Sequence, residues 1–388
     1  MIDSCINRSL MVAKAPSIFY SNFFWNILVL KFSLTLFAFF IYARYTPFID
    51  ASVYLCVGPS CIDNGTVPLR TEFVLVFFKL LRMIFFSELA VHLFMSFSLA
   101  YILWYVFKKS YYFLNKPLFY CSLCLPHFMI WSGMVGKEAI GIAGFLLLIR
   151  ACVDLTIKKS TKIFPLILGI FFSILVRPHY AIAYGYLLLV AIMLSRFRCK
   201  ALDLPKHSIL LLFFCLTCVV AFISVYWKQF STELLNFMHI IKFQYFLSQV
   251  SSKANRLDII WEKPSDFIFN LWWGLPISIV GPTLHEAIAR PLIFPAFLEG
   301  LFSLGLFVFI IYKIIRCAFD NPKYNAVIFL GLIPSILLGL LINYPFGLFN
   351  PGSAIRYKQS LAPLFYFYPL LFMSEIKKKN FLGRGMAT

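Results

Sequence analysis

The stretch from Leu125 to Ala181 opens with LPHFMIWSGMVGKEAI, runs apolar to Val153, turns through KKSTK (Lys158–Lys162) and ends, after a second apolar run, on VRPHYA. Two apolar segments joined by a short basic turn predict an antiparallel helix pair. Each segment turns polar at its far end, at Lys137-Glu138 and at Arg177-Pro178-His179, so the pair brings those two clusters to one side. Ionisable residues gathered at the edge of membrane-depth helices are a functional-site hypothesis by default.

The rest of the chain carries the same apolar character. It is 61% hydrophobic and 13% charged over 388 residues, and apolar runs of roughly 18 or more residues recur, each long enough to cross a bilayer. The expected fold class is all-α: a polytopic integral membrane protein, residues 1–388 forming one transmembrane domain of about ten helices. Ten-residue alternating segments, the mark of a membrane β-barrel, do not occur. Met1–Ala15 lacks an apolar run, so the first span reads as a retained anchor.

The net charge of +19 raises nucleic acid as a partner, but the placement of the charge excludes it. Lys108-Lys109, Lys158-Lys159, Arg196–Lys200, Lys313–Arg316 and Lys377–Lys379 sit in short connections, the bias that keeps such loops cytoplasmic. This assigns spans to about 23–43, 73–107 (an interfacial helix, then a span), 111–131, 137–156, 163–176, 180–194, 208–226, 292–312, 325–342 and a last one ending at Glu375, with both termini cytoplasmic. Three outer segments follow: residues 44–72, the aromatic-rich 227–291, and the shorter 344–360. The two Cys-x-x-Cys pairs, Cys121/Cys124 and Cys215/Cys218, lie inside apolar helices without a second ligand pair and read as buried thiols. Cys56 and Cys61 in the first outer loop can bridge if that compartment oxidises. The Asn64-Gly-Thr66 sequon carries no weight without a known host.

Every unusual polar cluster falls on the outer side: Asp50 and Asp63, Lys137-Glu138, Arg177 with His179, His285-Glu286-Arg290, and Arg356-Tyr357-Lys358. Lys137, Arg177-Pro178 and Arg356 each stand at an expected helix start. Unpaired amides and the positive end of the helix dipole add there to the side-chain cation. Together they form an expected pocket for a phosphate or pyrophosphate. Lys137 and Glu138 point about 100° apart on a helix and cannot serve the same atom. One of them is therefore expected to pair with and orient another residue, such as Arg177. Asp50, Glu138 and His179 are the candidate acid–base groups.

With these residues in hand the chain resembles a Wzy-type O-antigen or capsule polysaccharide polymerase within the GT-C glycosyltransferase superfamily. The resemblance rests on Asp50-Ala-Ser-Val-Tyr54, Pro126–Gly133 leading to Gly136-Lys-Glu-Ala139, Arg177-Pro-His179, Arg290-Pro291 with Glu299, and Ala354-Ile-Arg-Tyr-Lys358, and it spans about residues 45–365. It implies a polyprenyl-diphosphate-linked glycan as donor and a second lipid-linked repeat unit as acceptor, at the periplasmic face of a bacterial inner membrane. It further implies a chain-length regulator as partner, Arg177, Arg290 and Arg356 on the diphosphate, and Asp50 as base. The chain departs from the superfamily in lacking a paired acid beside Asp50, and the mechanism it implies uses no metal and no cofactor. Two other functions stay open on the sequence: a GT-C enzyme using a polyprenyl-monophosphate sugar, and a transporter or flippase of lipid-linked sugars.

Overall fold

The computed structural model describes residues 16–45, 49–55, 69–196, 205–247, 255–256 and 258–385, and among them the chain is helical with no strand. In chain order, α1 (Pro16–Phe37) continues through wider turns to Tyr42, followed by α2 (Ile49–Tyr54), α3 (Leu69–Phe85), α4 (Glu88–Phe107), α5 (Lys116–Leu123), α6 (Pro126–Gly133), α7 (Lys137–Lys158) and α8 (Ile163–Val176). Then come α9 (Pro178–Arg196), α10 (Pro205–Val225), α11 (Trp227–His239), α12 (Pro264–Phe269), α13 (Leu271–Val280), α14 (Leu284–Ala289), α15 (Phe294–Asp320), α16 (Ile333–Phe349), α17 (Pro351–Tyr357) and α18 (Tyr368–Gly385). Seven helical segments among the described residues are long and apolar enough to cross a membrane: Asn22–Tyr42, Glu88–Phe107, Lys137–Lys158, Pro178–Arg196, Lys206–Val225, Pro291–Asp320 and Pro322–Phe349. The protein is an all-α polytopic membrane protein.

The expected run 73–107 divides into two helices, as its charges require. α3 stops at Phe85, before Phe86, whose φ of 55° is a left-handed conformation rare outside glycine, and Ser87 caps α4 by accepting from the Ala90 amide. The expected span 111–131 is instead two short helices. Pro126 forces the residue before it out of the helical region, and Leu125 accordingly sits at ψ 114°; Asn115 starts α5 by accepting from the Leu118 amide. The segment Tyr344–Ser360, read as a loop, is largely helical and bends at Asn350, which leaves α16 extended and caps α17 through Ser353. α8 matches its expected range, yet its 14 residues rise only about 21 Å against a hydrocarbon core of about 30 Å.

The chain divides into two compact units, one comprising Met1–Val153, Thr161–Pro178 and Leu370–Thr388, the other Asp154–Ser160 and His179–Pro369. In the first, α7 and α8 form the antiparallel hairpin. Gly144 faces Phe172 and Ser173, and Gly169 faces the Gly144 carbonyl and Leu147. Small residues at such positions let two backbones approach where lipid supplies no hydrophobic drive. In the second unit, buried polar groups tie the helices. Tyr180 of α9 donates to Asn343 of α16 at 2.6 Å, Asn343 donates to the Ser278 carbonyl of α13 at 3.2 Å, and Tyr184 donates to the Ser360 carbonyl at 2.8 Å. A polar group at this depth must find a protein partner, and each of these has one.

The Cys pairs are not buried as expected. Cys121, Cys124, Cys215 and Cys218 are free thiols exposed at the protein surface, because α5 and α10 pack few neighbours around those faces. Cys56, Cys61, Asp63 and Asn64 lie outside the described residues.

Candidate functional site

In the first unit the hairpin brings Arg177 to Glu138, while His179, expected beside them, belongs to the second unit. The Arg177 guanidinium donates to the Glu138 carboxylate, and both side chains are buried, at 7% and 1% exposure. Arg177 ends α8 and Glu138 stands in the first turn of α7, so the ion pair closes the mouth of the hairpin. The Arg177 stem lies along Gly141, where a Cβ would stand 3.1 Å from its Cγ. The Glu138 carboxylate also folds back over its own helix start, 3.1 Å from where a Gly136 Cβ would be. The positive end of α7 therefore already carries an anion. Lys137 turns a different way, as neighbours on a helix must: its ammonium donates to the Thr71 hydroxyl at 2.6 Å and lies 5.9 Å from the centre of the Tyr54 ring. Asp50 belongs to the backbone of α2, and its side chain lies outside what the structure describes.

In the second unit, His179, Arg356 and Tyr357 come together around Phe346. The His179 ring centre is 4.4 Å from that of Tyr180 and 6.0 Å from that of Phe346. Tyr357 meets Phe346 edge-on at 5.4 Å, and the Arg356 guanidinium lies 5.8 Å from the centre of the Tyr357 ring. Arg356 was expected at a helix start; it lies in the last turn of α17, because Asn350 caps that helix six residues earlier. Lys358 is buried and donates to the Ile279 carbonyl at 2.8 Å, close enough to Glu299 to feel its charge. Arg290 is exposed where α14 ends and the Pro291 turn begins.

Further cations, none of them among the sequence candidates, are built into the helix packing. Arg256 uses all five of its donors: Nε and Nη2 grip the Glu286 carboxylate at 2.7 and 2.6 Å, Nη2 also reaches the Gly281 carbonyl at 2.9 Å, and Nη1 reaches the Gly347 and Leu348 carbonyls at 3.0 Å each. Its own amide donates to the Phe349 carbonyl at 2.7 Å. One residue thus satisfies the orphan carbonyls at the end of α16. Lys31, fully buried in α1, donates to the Met129 carbonyl at 3.0 Å and to the Ser132 hydroxyl in the last turn of α6. A lone lysine in an otherwise apolar run was the sequence signal for Lys31. For Arg256 the signal was its partner, since Thr283-x-x-Glu286 is a capping-box pattern and forms as one.

These contacts follow a common rule. Arg82, Arg150, Arg256 and Lys358 all donate to carbonyls at or next to helix C-terminal ends, those of α2, α4, α16 and α13. A cation is favourable at that pole of the helix dipole. Arg150 also pairs with Glu375 at 3.0 Å, and Glu375 accepts from Ser110 at 2.6 Å. Burial alone would raise the Glu286 carboxyl, but the Arg256 guanidinium and the Thr283 amide and hydroxyl hold it below its ordinary value. No protein-family model, no curated protein and no solved structure matches the chain.

Proposed function

We propose that the chain is a membrane glycosyltransferase that joins polyprenyl-diphosphate-linked oligosaccharide repeat units into O-antigen or capsular polysaccharide. In this reading it works at the periplasmic face of a bacterial inner membrane with both termini cytoplasmic. The observation that carries the proposal is the closed mouth of the α7–α8 hairpin, where Lys137 stands at a helix start beside the buried Arg177–Glu138 pair. Glu138 already occupies the helix start itself, so the support comes from the Lys137 ammonium, whose positive charge suits an anionic leaving group.

The chemistry assigned to it is a substitution at the anomeric carbon. The acceptor hydroxyl forms the new C–O bond, the bond to the diphosphate oxygen breaks, and the hydroxyl proton passes to a carboxylate or imidazole, with Asp50 and His179 the groups offered for that role. Polyprenyl diphosphate leaves carrying the electron pair. Negative charge grows on the leaving oxygen, so a fixed cation stabilises the transition state more than the ground state. Within this scheme Glu138 is a positioning residue: it holds Arg177 in place and does not touch the reacting atoms. Lys137 is the residue of the α7–α8 mouth assigned to the diphosphate.

The test is deletion of the gene in its host. Loss of the repeat-unit ladder in surface polysaccharide, with single repeat units still made, is the expected result. A ladder of normal length with one sugar missing from each unit would assign the chain to single-sugar transfer instead. Repeat units trapped on the cytoplasmic leaflet would assign it to transport.

A further inference from the structure

Beside α11, in the second unit, lies a cavity of about 350 Å³ whose lining includes Asn236, His239, Phe243, Trp261 and Glu262. That volume is at the small end of ligand sites, which run from about 300 to 1,000 Å³. Asn236 and His239 stand three residues apart on α11, and Phe243 follows four residues later, a spacing that puts all three on one side of a helical path. The His239 and Phe243 rings lie 4.7 Å apart at 31°.

The opposite wall is held from behind. Trp261 is 2% exposed and packs on the rings of Phe267, Tyr344 and Phe349 at 5.5, 5.6 and 5.2 Å. The Asp266 carboxylate accepts from the amides of Glu262 and Lys263 at 2.8 Å each, Asn270 donates to the Ile260 carbonyl at 3.2 Å, and Lys242 donates to the Ile259 carbonyl at 3.1 Å. Arg256 anchors the start of the same segment. A wall fixed at this many points binds without first having to be ordered. The wall also has an unmet donor, because the buried Trp261 Nε1 finds no acceptor among the described residues; native interiors rarely leave one.

The lining chemistry selects the ligand class. It offers aromatic faces, an amide, an imidazole and a carboxylate, and no lysine or arginine among its described residues. A phosphate would face Glu262 with no lysine or arginine among the described lining residues to neutralise it, and a purely apolar molecule would strand the three polar groups. A sugar ring has one face of C–H bonds that lies against aromatic rings and a rim of hydroxyls that meets carboxylate, amide and imidazole. We propose that this cavity binds an unphosphorylated sugar residue of a glycan, apart from whatever holds the diphosphate. The assignment builds on the glycosyltransferase reading and adds a glycan subsite to it.

The purified full chain in lipid nanodiscs is screened on an array of unphosphorylated oligosaccharides, and the strongest binder is titrated by calorimetry with pyrophosphate and tetramethylammonium as competitors. The expected result is a sugar bound by the native chain that neither competitor displaces. Glu262→Gln, which removes the charge from one hydrogen bond, and His239→Ala, which removes another, should each weaken it about tenfold. Both residues are exposed, and unchanged melting of the variants shows that they fold. Binding to no glycan, or binding equally strong in both variants, overturns the proposal. Displacement by tetramethylammonium overturns it too, because the aromatic lining would then be a cation cage. Sugar binding here without glycosyl transfer keeps the cavity and removes the enzyme reading. Transfer with no binding sensitive to these residues does the reverse.

Discussion

Arg177 and Glu138, 39 residues apart in sequence, meet as a buried ion pair at the mouth of the α7–α8 hairpin. Removing one partner leaves the other charge buried and uncompensated, at a typical cost of about 3 to 5 kcal/mol. Glu138→Ala should therefore lower the melting temperature and the membrane abundance sharply. The exchanged pair Glu138→Arg with Arg177→Glu should recover part of the loss. An unchanged melt for Glu138→Ala would show that the pair does not hold the hairpin.

Arg177→Lys separates positioning from charge. Lysine keeps the charge but loses the planar fork, and on this account the hairpin mouth loosens and glycosyl transfer falls on the order of 10²-fold. Lys137→Gln should lose transfer by a similar factor while melting like the native chain, since glutamine keeps a donor for the Thr71 hydroxyl. Equal transfer by native and Lys137→Gln chains at matched abundance would remove Lys137 from the reaction.

The hairpin was legible in sequence because its information is local. Apolar length, a basic turn and polar ends are enough to specify α7 and α8 to within two residues, and to bring Arg177 to Glu138. The broken helices α5 and α6 were misread as one span because hydropathy averages over Pro117 and Pro126, whereas the backbone responds to each proline singly. Arg256 was missed for another reason. Its partners are mostly backbone carbonyls at the ends of α13 and α16, and carbonyls have no sequence signature. The same limit applies to the positive charge: some of it caps helix ends, which is visible only once the helix ends are known.

The Arg256–Glu286 pair predicts a pH dependence with a definite sign. The folded Glu286 carboxyl lies below its ordinary value of 4.5. The stabilisation is therefore fully present above pH 4.5 and is lost as pH falls through the lower folded value. Melting of the native chain should drop over that window, and Glu286→Gln should flatten the drop. Arg256→Lys should cost about 1.5 to 3 kcal/mol through lost charged hydrogen bonds. A Glu286→Gln chain with the native acid profile would contradict the assignment.

Gly300 predicts a steric failure. A Cβ there would collide with the Val280 backbone at the end of α13, and backbone, unlike a side-chain tip, has no rotamer to escape into. Gly300→Ala should destabilise by at least the roughly 1 to 3 kcal/mol of an overpacked core. Gly305→Ala, with open space around it, should be silent. The two variants compared by thermal melting in detergent decide the point.

The most direct measurement is made on the purified chain in detergent, given a defined polyprenyl-diphosphate-linked repeat unit and no vesicle or gradient. The account predicts a ladder of joined units, with one polyprenyl diphosphate released per bond formed. A native, well-folded chain that leaves the repeat units unjoined, yet moves them across a bilayer once reconstituted in vesicles, would contradict it.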